Sequence, residues 1–219
     1  VNKQQEMEFK MLSSQINPHF LYNTLETIRM QAISSRNREV ATSIMLLADS
    51  MHYVLENTGT ALTTLARELE HVKTYLQIQK LRFRDRVCWD FYLDETVDMN
   101  RFVILPLLLQ PVVENAIVHG LEGKEEKGHI SLIIEREKED KIIITVKDNG
   151  KGIGSEKLEQ LGRSIREKGL DDSSSIGLHN IDQRVKLFYG EEYGLTITSE
   201  LFKGTCVSLV LPFGEDGEG

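Results

Sequence analysis

Cysteine, proline and long apolar runs are all scarce in this sequence of 219 residues. The two cysteines, Cys88 and Cys206, fit no metal-ligand spacing and suggest no disulfide framework, which favours a reducing cytoplasm. No apolar run reaches the roughly 18 residues that a membrane-spanning helix needs, and no signal peptide is visible. Because the chain opens at Val1 rather than Met, we expect a soluble fragment of a longer protein.

An excess of basic residues is also missing. Lys and Arg number 26 against 34 Asp and Glu, which gives a net charge of −8. An acidic chain without a basic stripe argues against nucleic acid as the main partner. Apolar residues make up 40% of the chain, which is enough for a real core and excludes a disordered protein.

The chain changes character near residue 85. Before it, apolar residues recur at spacings of three or four and predict helices over 3–33, 37–57 and 64–83. The first two helices are joined by a short break and predict a hairpin. Each has more apolar surface than one partner helix covers, so we expect a dimeric four-helix bundle. This divides the chain into paired helices (1–62), a connecting helix (63–84), a second domain (85–213) and an acidic disordered tail (214–219).

The second domain alternates strands and helices. Strands are predicted over 87–93, 130–135, 142–147, 195–199 and 205–211, and helices over 104–119, 155–168 and 176–189. This mixed order, with paired strands late in the chain, predicts an α+β fold. We expect an α/β sandwich in which helices cover one face of a single sheet.

A helical segment at 110–119 contains the first candidate binding residues. Asn115 and His119 are four residues apart and share a helix face, one turn after Pro111. The amide oxygen of Asn115 could be a hard ligand for Mg²⁺, an ion that keeps several waters and bridges phosphates. Alternatively, Asn115 only hydrogen-bonds within a helical layer.

A glycine-rich loop follows the strand that ends at Asp148. A carboxylate there can accept a hydrogen bond from an exocyclic amine such as that of adenine. Gly150, Gly152 and Gly154 permit close approach of the backbone to a ligand, and they exceed what an ordinary Asp-Asn-Gly turn requires. The loop fits neither a Walker A motif nor the dinucleotide-binding pattern, because Ser155 replaces the last glycine of the latter.

Two further segments complete the set. Residues 173–181 open a helix whose first N–H groups could attract phosphate, although a serine N-cap is the commoner explanation. Residues 204–212 form a Gly-Thr strand. In this order, the four segments resemble the N, G1 and G2 boxes and the closing Gly-Thr strand of the GHKL ATPases. The resemblance implies a Bergerat-type ATP fold with a mobile lid over 155–175, in which Arg163, Arg166 and Lys168 either contact phosphate or are solvated helix charges.

A histidine in the first helix is the candidate phosphate acceptor. Pro18 cannot donate a helical hydrogen bond, so either the helix kinks there or Asn17 caps a new helix. His19 lies beside this loosened backbone, with Asn23 one turn on as a polar neighbour. A neutral imidazole can attack a γ-phosphorus, although a lone helical histidine is usually structural.

The string Asn17-Pro-His-Phe-Leu-Tyr-Asn23 resembles the acceptor box of LytS/YesM-type sensor histidine kinases. The similarity covers roughly residues 9–213 and includes Leu65-Ala-Arg-Glu-Leu-Glu, Tyr75-Leu-Gln-Ile-Gln, Arg82-Phe83 and Leu105-Pro-Leu-Leu-Leu-Gln-Pro-Val-Val-Glu-Asn-Ala. It implies that His19 accepts phosphate from ATP, that Asn115 holds Mg²⁺ and that Asp148 reads adenine. The other nucleotide-binding residues implied are His119, Gly150, Gly152, Gly154, Gly177, Leu178 and Thr205.

The same resemblance implies the setting of the chain. Such kinases form homodimers and pass the phosphoryl group to an Asp of a cognate response regulator. They are usually anchored upstream in the bacterial inner membrane, so we expect this region to be cytoplasmic and connected to the membrane only through a segment absent here.

Some positions depart from the family pattern. Val118 replaces a frequent Lys, and Ser175 replaces the first glycine of the G2 box. Pro111, which is normal in this subfamily, leaves no Glu placed to activate water and so disfavours a hydrolase. Phe20 follows His19 where an acid would serve as general base, and Glu114 lies about 100° round the helix from Asn115. An alternative function is therefore a catalytically weak scaffold that binds ATP and a partner without efficient phosphotransfer.

Overall fold

The computed structural model describes residues 18–57, 62–121, 127–137, 140–166 and 173–213. Its first two helices form the predicted hairpin: α1 spans Pro18–Ser34 and α2 spans Arg38–Asn57. In the turn between them, Asn37 Oδ1 accepts a hydrogen bond from Val40 N at 3.2 Å, as an N-cap side chain does. The predicted segment 3–17, and with it the choice between a kink at Pro18 and a cap at Asn17, lies outside the described residues.

The predicted connecting helix is also present. Helix α3 spans Leu65–Phe83 and begins where the Thr64 hydroxyl accepts a hydrogen bond from Arg67 N at 3.3 Å. Its buried face contains Leu65, Leu69, Val72 and Leu76, at the spacing of one helix stripe. One 3₁₀ turn, Arg84–Arg86, then leads into the sheet.

A five-stranded sheet forms the second half. Its strands are β2 (Val87–Leu93), β4 (Gly128–Glu137), β5 (Lys141–Asp148), β6 (Gly194–Glu200) and β7 (Gly204–Pro212). They lie in the order β2-β4-β5-β7-β6, with β2 parallel to β4 and the other pairs antiparallel.

Helices cover one face of this sheet, which confirms the predicted α+β sandwich. Helices α4 (Leu109–Asn115) and α6 (Ser173–Tyr189) contribute to the same buried core as α3, β4, β5 and β7. Helix α5 (Ser155–Arg166) adds Ile165. None of the helices within the described ranges is long and apolar enough to cross a membrane.

The single helix predicted over 104–119 is wrong. The segment begins as β3 (Val103–Ile104), which pairs antiparallel with β1 (Thr63–Thr64) in a small second sheet that the sequence did not suggest. It then turns at 105–108, continues as α4 and ends as a π-helix, Ala116–Leu121. Pro106 explains the turn, because a residue before proline is driven out of the helical region.

Two side chains of α6 hold this turn in place. The Tyr189 hydroxyl accepts a hydrogen bond from Leu105 N at 3.2 Å, and Arg184 Nη2 donates to the Pro106 carbonyl at 2.8 Å. Leu107 within the turn has a positive φ of 59°. The helix that contains Asn115 therefore starts from a turn fixed by its neighbours rather than from the end of a longer helix.

Candidate nucleotide-binding site

Asp148 is the centre of the candidate site. It ends β5 and is 4% exposed, and its Oδ1 accepts hydrogen bonds from Gly150 N at 2.8 Å and Thr205 N at 3.3 Å. Both donors are backbone groups, one from the glycine loop and one from β7. The predicted Asp148, Gly150 and Thr205 are thus brought together, and the carboxylate is oriented by the polypeptide backbone.

Three glycines pack around Asp148 so closely that none of them leaves room for a Cβ. A Cβ added to Gly120 would lie 2.7 Å from Asp148 Oδ1, and one added to Gly150 would lie 2.2 Å from the Gly120 carbonyl oxygen. A Cβ on Gly204 would lie 1.9 Å from the Asp148 carbonyl oxygen. Sequence reasoning did not identify Gly120 as a site residue, and the only available signal was a glycine directly after His119.

The glycine loop is pinned at several points. Lys151 N donates to the Gly120 carbonyl at 3.1 Å, and Lys151 O accepts from Phe202 N at 2.7 Å. Gly152 has a φ of +65°, which suits glycine, and Ile153 N donates to Ser199 Oγ at 2.9 Å. These contacts hold the first part of the loop against the π-helix and the β6–β7 turn.

Gly154 differs from the other glycines of the loop. A Cβ there would meet nothing within 4 Å, so protein packing does not require glycine at this position. The same is true of Gly177, near the start of α6. Open space beside these two glycines is compatible with the predicted approach of a ligand to the backbone.

Asn115 and His119 lie where α4 passes into the π-helix. Asn115 and Val118 are half-buried and His119 is exposed. Such π-helical turns are frequent at functional sites, and the wider turn changes the one-face geometry expected for residues four apart. Glu114 is exposed, and its charge contributes, after burial, to the raised pKa of Tyr75.

The residues present fit a cation that arrives with phosphate rather than a protein-built metal cage. Across the described ranges, no group of three or more His, Cys, Asp or Glu could hold a metal ion. Mg²⁺ in nucleotide sites is often held by one or two protein oxygens and the substrate phosphates. The amide oxygen of Asn115 is a hard donor of that kind.

The predicted lid is described only at its two ends. Arg163 pairs with Glu159 at 3.0 Å on the exposed face of α5, as a solvated helix charge does. Leu178 is 1% exposed and packs in the core. Lys168 lies outside the described residues, as do the side chains of Arg166 and Ser175.

His179 Nδ1 contacts the Ile165 carbonyl at 2.7 Å, which connects α6 to the end of α5 and was not predicted from the sequence.

The candidate acceptor lies on the hairpin. His19 is exposed in the first turn of α1, and its Nδ1 lies 3.1 Å from the side-chain nitrogen of Asn23. The predicted pairing of these two residues on one helix face is therefore present. Phe20, which follows His19, is 65% exposed and offers no group that could accept a proton.

The sheet, the buried strand-end carboxylate and the interlocking glycines define a class of protein, that of the GHKL-type ATPases. Comparison with family profiles agrees: residues 104–215 match the "Histidine kinase-, DNA gyrase B-, and HSP90-like ATPase" family, and residues 7–87 match the "Histidine kinase" family. The chain belongs to the histidine kinase family.

Relatives extend along nearly the whole chain. The putative uncharacterized protein YwpD of Bacillus subtilis is 36% identical over 98% of this chain and 73% of its own length. The sensor histidine kinase YesM of Bacillus subtilis is 36% identical over 94% of this chain, and the sensor protein LytS of Bacillus cereus is 34% identical over 95%. The chain spans only 33% and 34% of the lengths of YesM and LytS.

Solved structures support the fold. The histidine kinase domain of the blue-light activated histidine kinase from Erythrobacter litoralis EL346 aligns with 95% of this chain and 94% of its own, with a TM-score of 0.52 and 17% identity. The nucleotide-free catalytic domain of histidine kinase ThkA aligns with 69% of this chain and 94% of its own, with a TM-score of 0.51 and 14% identity.

Proposed function

We propose that this chain binds Mg²⁺–ATP at the Asp148 site and transfers the γ-phosphoryl group to its own His19. The phosphoryl group then passes to an Asp of a cognate response regulator. The observation that carries the proposal is the buried Asp148 carboxylate, fixed by two backbone N–H groups beside glycines that leave no room for side chains.

The site supports recognition of adenine. A carboxylate accepts hydrogen bonds, so Asp148 suits the exocyclic amine of adenine and disfavours guanine, which presents a carbonyl at that position. Asn115 would hold the metal that accompanies the phosphates. When bound, Mg²⁺ supplies charge neutralisation to the phosphates, and this chain supplies the position of the nucleotide.

Asn23 contacts Nδ1 of His19, so we assign the attack to the other ring nitrogen, Nε2. Side-chain amide oxygen and nitrogen are assigned from the hydrogen-bond pattern. The structure places Asn23 Nδ2 against Nδ1, an arrangement in which Nε2 carries the ring proton. Attack through Nε2 therefore requires the amide to turn, so that Oδ1 accepts from Nδ1–H and the lone pair lies on Nε2. An Nε2–phosphorus bond then forms while the bond from the γ-phosphorus to the β,γ-bridging oxygen breaks, and ADP leaves with that electron pair.

Dimerisation through the hairpin is the second part of the proposal. Val40, Leu47 and Val54 recur every seven residues along α2, which returns to about the same helix face, and each is at least 36% exposed. On α1, Ile28, Met30 and Ile33 are each more than 40% exposed. A second copy of the hairpin would cover these side chains, as the four-helix bundle requires.

Labelling with γ-labelled ATP tests the transfer. We expect acid-labile label on the wild-type chain and none on His19→Gln, because phosphohistidine is acid-labile and the substitution removes the nucleophile. Nucleotide affinity should stay within about twofold in this variant, since His19 is on the hairpin and the nucleotide site is on the second half. His52→Gln, on the neighbouring helix α2, is the matched control and should keep its label.

The result also decides between the kinase and the scaffold. Nucleotide binding without any acid-labile label on the wild-type chain would support the scaffold, and undiminished label on His19→Gln would contradict the acceptor assignment. A candidate response regulator added to the labelled chain should become labelled on an Asp.

A further inference from the structure

A buried polar cluster lies outside the nucleotide site, where the hairpin, α3 and α4 meet. Glu68 and His71 of α3 are 0% and 3% exposed, and Tyr53 of α2 is 8% exposed. Gln110 of α4 completes the cluster. Burial of a carboxylate is costly unless its oxygens are hydrogen-bonded, so the partners of Glu68 indicate what the cluster does.

Glu68, which lies on α3, caps the N-terminus of α4. Helix α4 has no side-chain cap of its own at Leu108. Instead, Glu68 Oε1 accepts from Leu109 N at 2.9 Å and Glu68 Oε2 accepts from Leu107 N at 3.0 Å. The first N–H groups of a helix have no partner within it, and a negative charge at this end is favourable. The carboxylate therefore fixes where α4 begins.

The position of the first turn of α4 determines where Asn115, the proposed Mg²⁺ ligand, lies. Asn115 lies six residues after Leu109 on continuous helical backbone. A helix of this length moves as a rigid unit, so a shift at its first turn displaces Asn115 as well. His71 adds a second tie between α3 and α4, because its Nε2 hydrogen-bonds Gln110 Oε1.

The same carboxylate is also bound by the hairpin. The Tyr53 hydroxyl donates to Glu68 Oε2, and the Tyr53 ring stacks on His71 with centroids 4.2 Å apart. Burial, and after it the charge of Glu68, raises the pKa of Tyr53, so its hydroxyl stays a donor at neutral pH. One side chain thus touches both the helix pair that holds His19 and the helix that holds Asn115.

We propose that Glu68 is a positioning residue for the nucleotide site, and that its contact with Tyr53 couples the arrangement of the hairpin to nucleotide binding. The inference rests on the proposed function, because it concerns the same site. Coupling between two sites is reciprocal: if the hairpin alters nucleotide affinity, the nucleotide must alter the hairpin end that contacts Glu68. This reciprocity allows each half of the inference to be measured without kinase activity.

The first experiment measures nucleotide affinity in Glu68→Gln. Glutamine keeps the size of the side chain but offers one acceptor oxygen to three donors, and its NH₂ group faces an N–H. We expect affinity for a fluorescent ATP analogue with Mg²⁺ to fall at least tenfold at a temperature well below the melting point. Glu70→Gln is the matched control, because Glu70 is on the same helix but is exposed and pairs with Lys73 at the surface. The nucleotide affinity of this variant should stay within twofold of the wild-type value.

The second experiment uses Tyr53→Phe, which removes only the hydroxyl and retains both backbone contacts of Glu68. Hydrogen exchange is followed over residues 50–57 with and without a non-hydrolysable ATP analogue. In the wild-type chain we expect the nucleotide to slow exchange there at least threefold. In Tyr53→Phe this effect should vanish while the affinity changes less than threefold.

The outcomes separate the claims. Unchanged nucleotide affinity in folded Glu68→Gln would overturn the positioning role. A hydrogen-exchange rate over residues 50–57 that is the same with and without nucleotide in the wild-type chain would overturn the coupling. If Glu68→Gln fails to fold, Tyr53→Phe still tests the coupling. A wild-type chain that binds no ATP analogue would contradict the proposed function itself, which is a different result from bound nucleotide without coupling.

Discussion

At the scale of single residues, the Asp148 carboxylate offers the sharpest test of the nucleotide site. Asp148→Asn keeps the shape of the side chain but removes its charge and replaces one accepting oxygen with an NH₂ group, which can only donate. A hydrogen bond to a charged group is worth about 1.5–3 kcal/mol, so affinity for ATP should fall roughly tenfold to a hundredfold, and the preference for adenine over guanine should weaken. Titration of fluorescent ATP and GTP analogues measures both.

Asp90→Asn is the control for that substitution. Asp90 lies on the edge strand β2, is 57% exposed and pairs with His129 of β4, so the substitution alters a surface carboxylate two strands away from Asp148. Its nucleotide affinity should equal that of the wild-type chain. An Asp148→Asn variant with the same affinity and base preference as this control would refute adenine recognition by Asp148.

Two glycines of the loop form a matched pair of substitutions. Gly150→Ala brings a Cβ to 2.2 Å from the Gly120 carbonyl oxygen, whereas Gly154→Ala meets nothing within 4 Å. Overpacking costs about 1–3 kcal/mol, so Gly150→Ala should lower the melting temperature by roughly 2–12 °C in a chain of this size. Gly154→Ala should melt like the wild-type chain.

Affinity then distinguishes the roles of these glycines. If the backbone at Gly154 approaches the nucleotide, as the sequence predicts, Gly154→Ala should weaken ATP binding despite normal stability. Calorimetric melting and nucleotide titration on the same samples measure the two effects. A stable Gly150→Ala variant would contradict the close packing of the loop against the π-helix.

The local string around Asp148 made this part of the site predictable. A strand end followed by alternating glycines fixes chemistry within a few residues, and Asp148, Gly150 and Gly152 could be named from it. Gly120 and Ser199 could not be named, because their importance arises from tertiary approach: 28 residues separate Gly120 from Asp148, and nothing near either one in the sequence signals the other.

At the scale of helices and strands, periodicity succeeded where helices pack through one face. It predicted α2 and α3 nearly to their ends. It failed over 104–119, where an apolar stretch reads as one helix although Pro106 and the partner strand β1 divide it. The role of Glu68 could not be predicted for a related reason, since it caps a helix that begins 41 residues further along the chain.

The packing of α3 against α2 and α4 makes stability sensitive to acid. Burial lowers the pKa of His71 below its usual value near 6.5, opposed by its contact with Gln110 and by the charge of Glu68. The folded chain therefore binds fewer protons than the unfolded chain. Stability is complete above about pH 6.5 and falls as the pH drops below it.

We expect His71→Gln to remove this part of the acid sensitivity, because glutamine does not titrate. The fall in melting temperature between pH 7.5 and 5.5 should therefore be smaller in His71→Gln than in the wild-type chain. His52→Gln, which alters an exposed histidine of α2, is the control and should show the wild-type dependence of melting temperature on pH. The same dependence in the wild-type chain and both variants would rule out the role of His71.

At the scale of the whole molecule, the proposed function requires the hairpin to form the dimer surface and still leave His19 accessible. Leu47 lies at the middle of the exposed stripe of α2, and a charged residue there would be buried without a partner in a four-helix bundle. We expect Leu47→Lys to weaken dimerisation at least tenfold in sedimentation equilibrium.

Leu187→Lys is the matched control, since Leu187 is 74% exposed on α6, outside the hairpin. It should remain as dimeric as the wild-type chain. Equal dimerisation of both variants would place the interface elsewhere, whereas loss in Leu47→Lys with retained ATP binding would assign assembly to the hairpin and nucleotide binding to the sandwich.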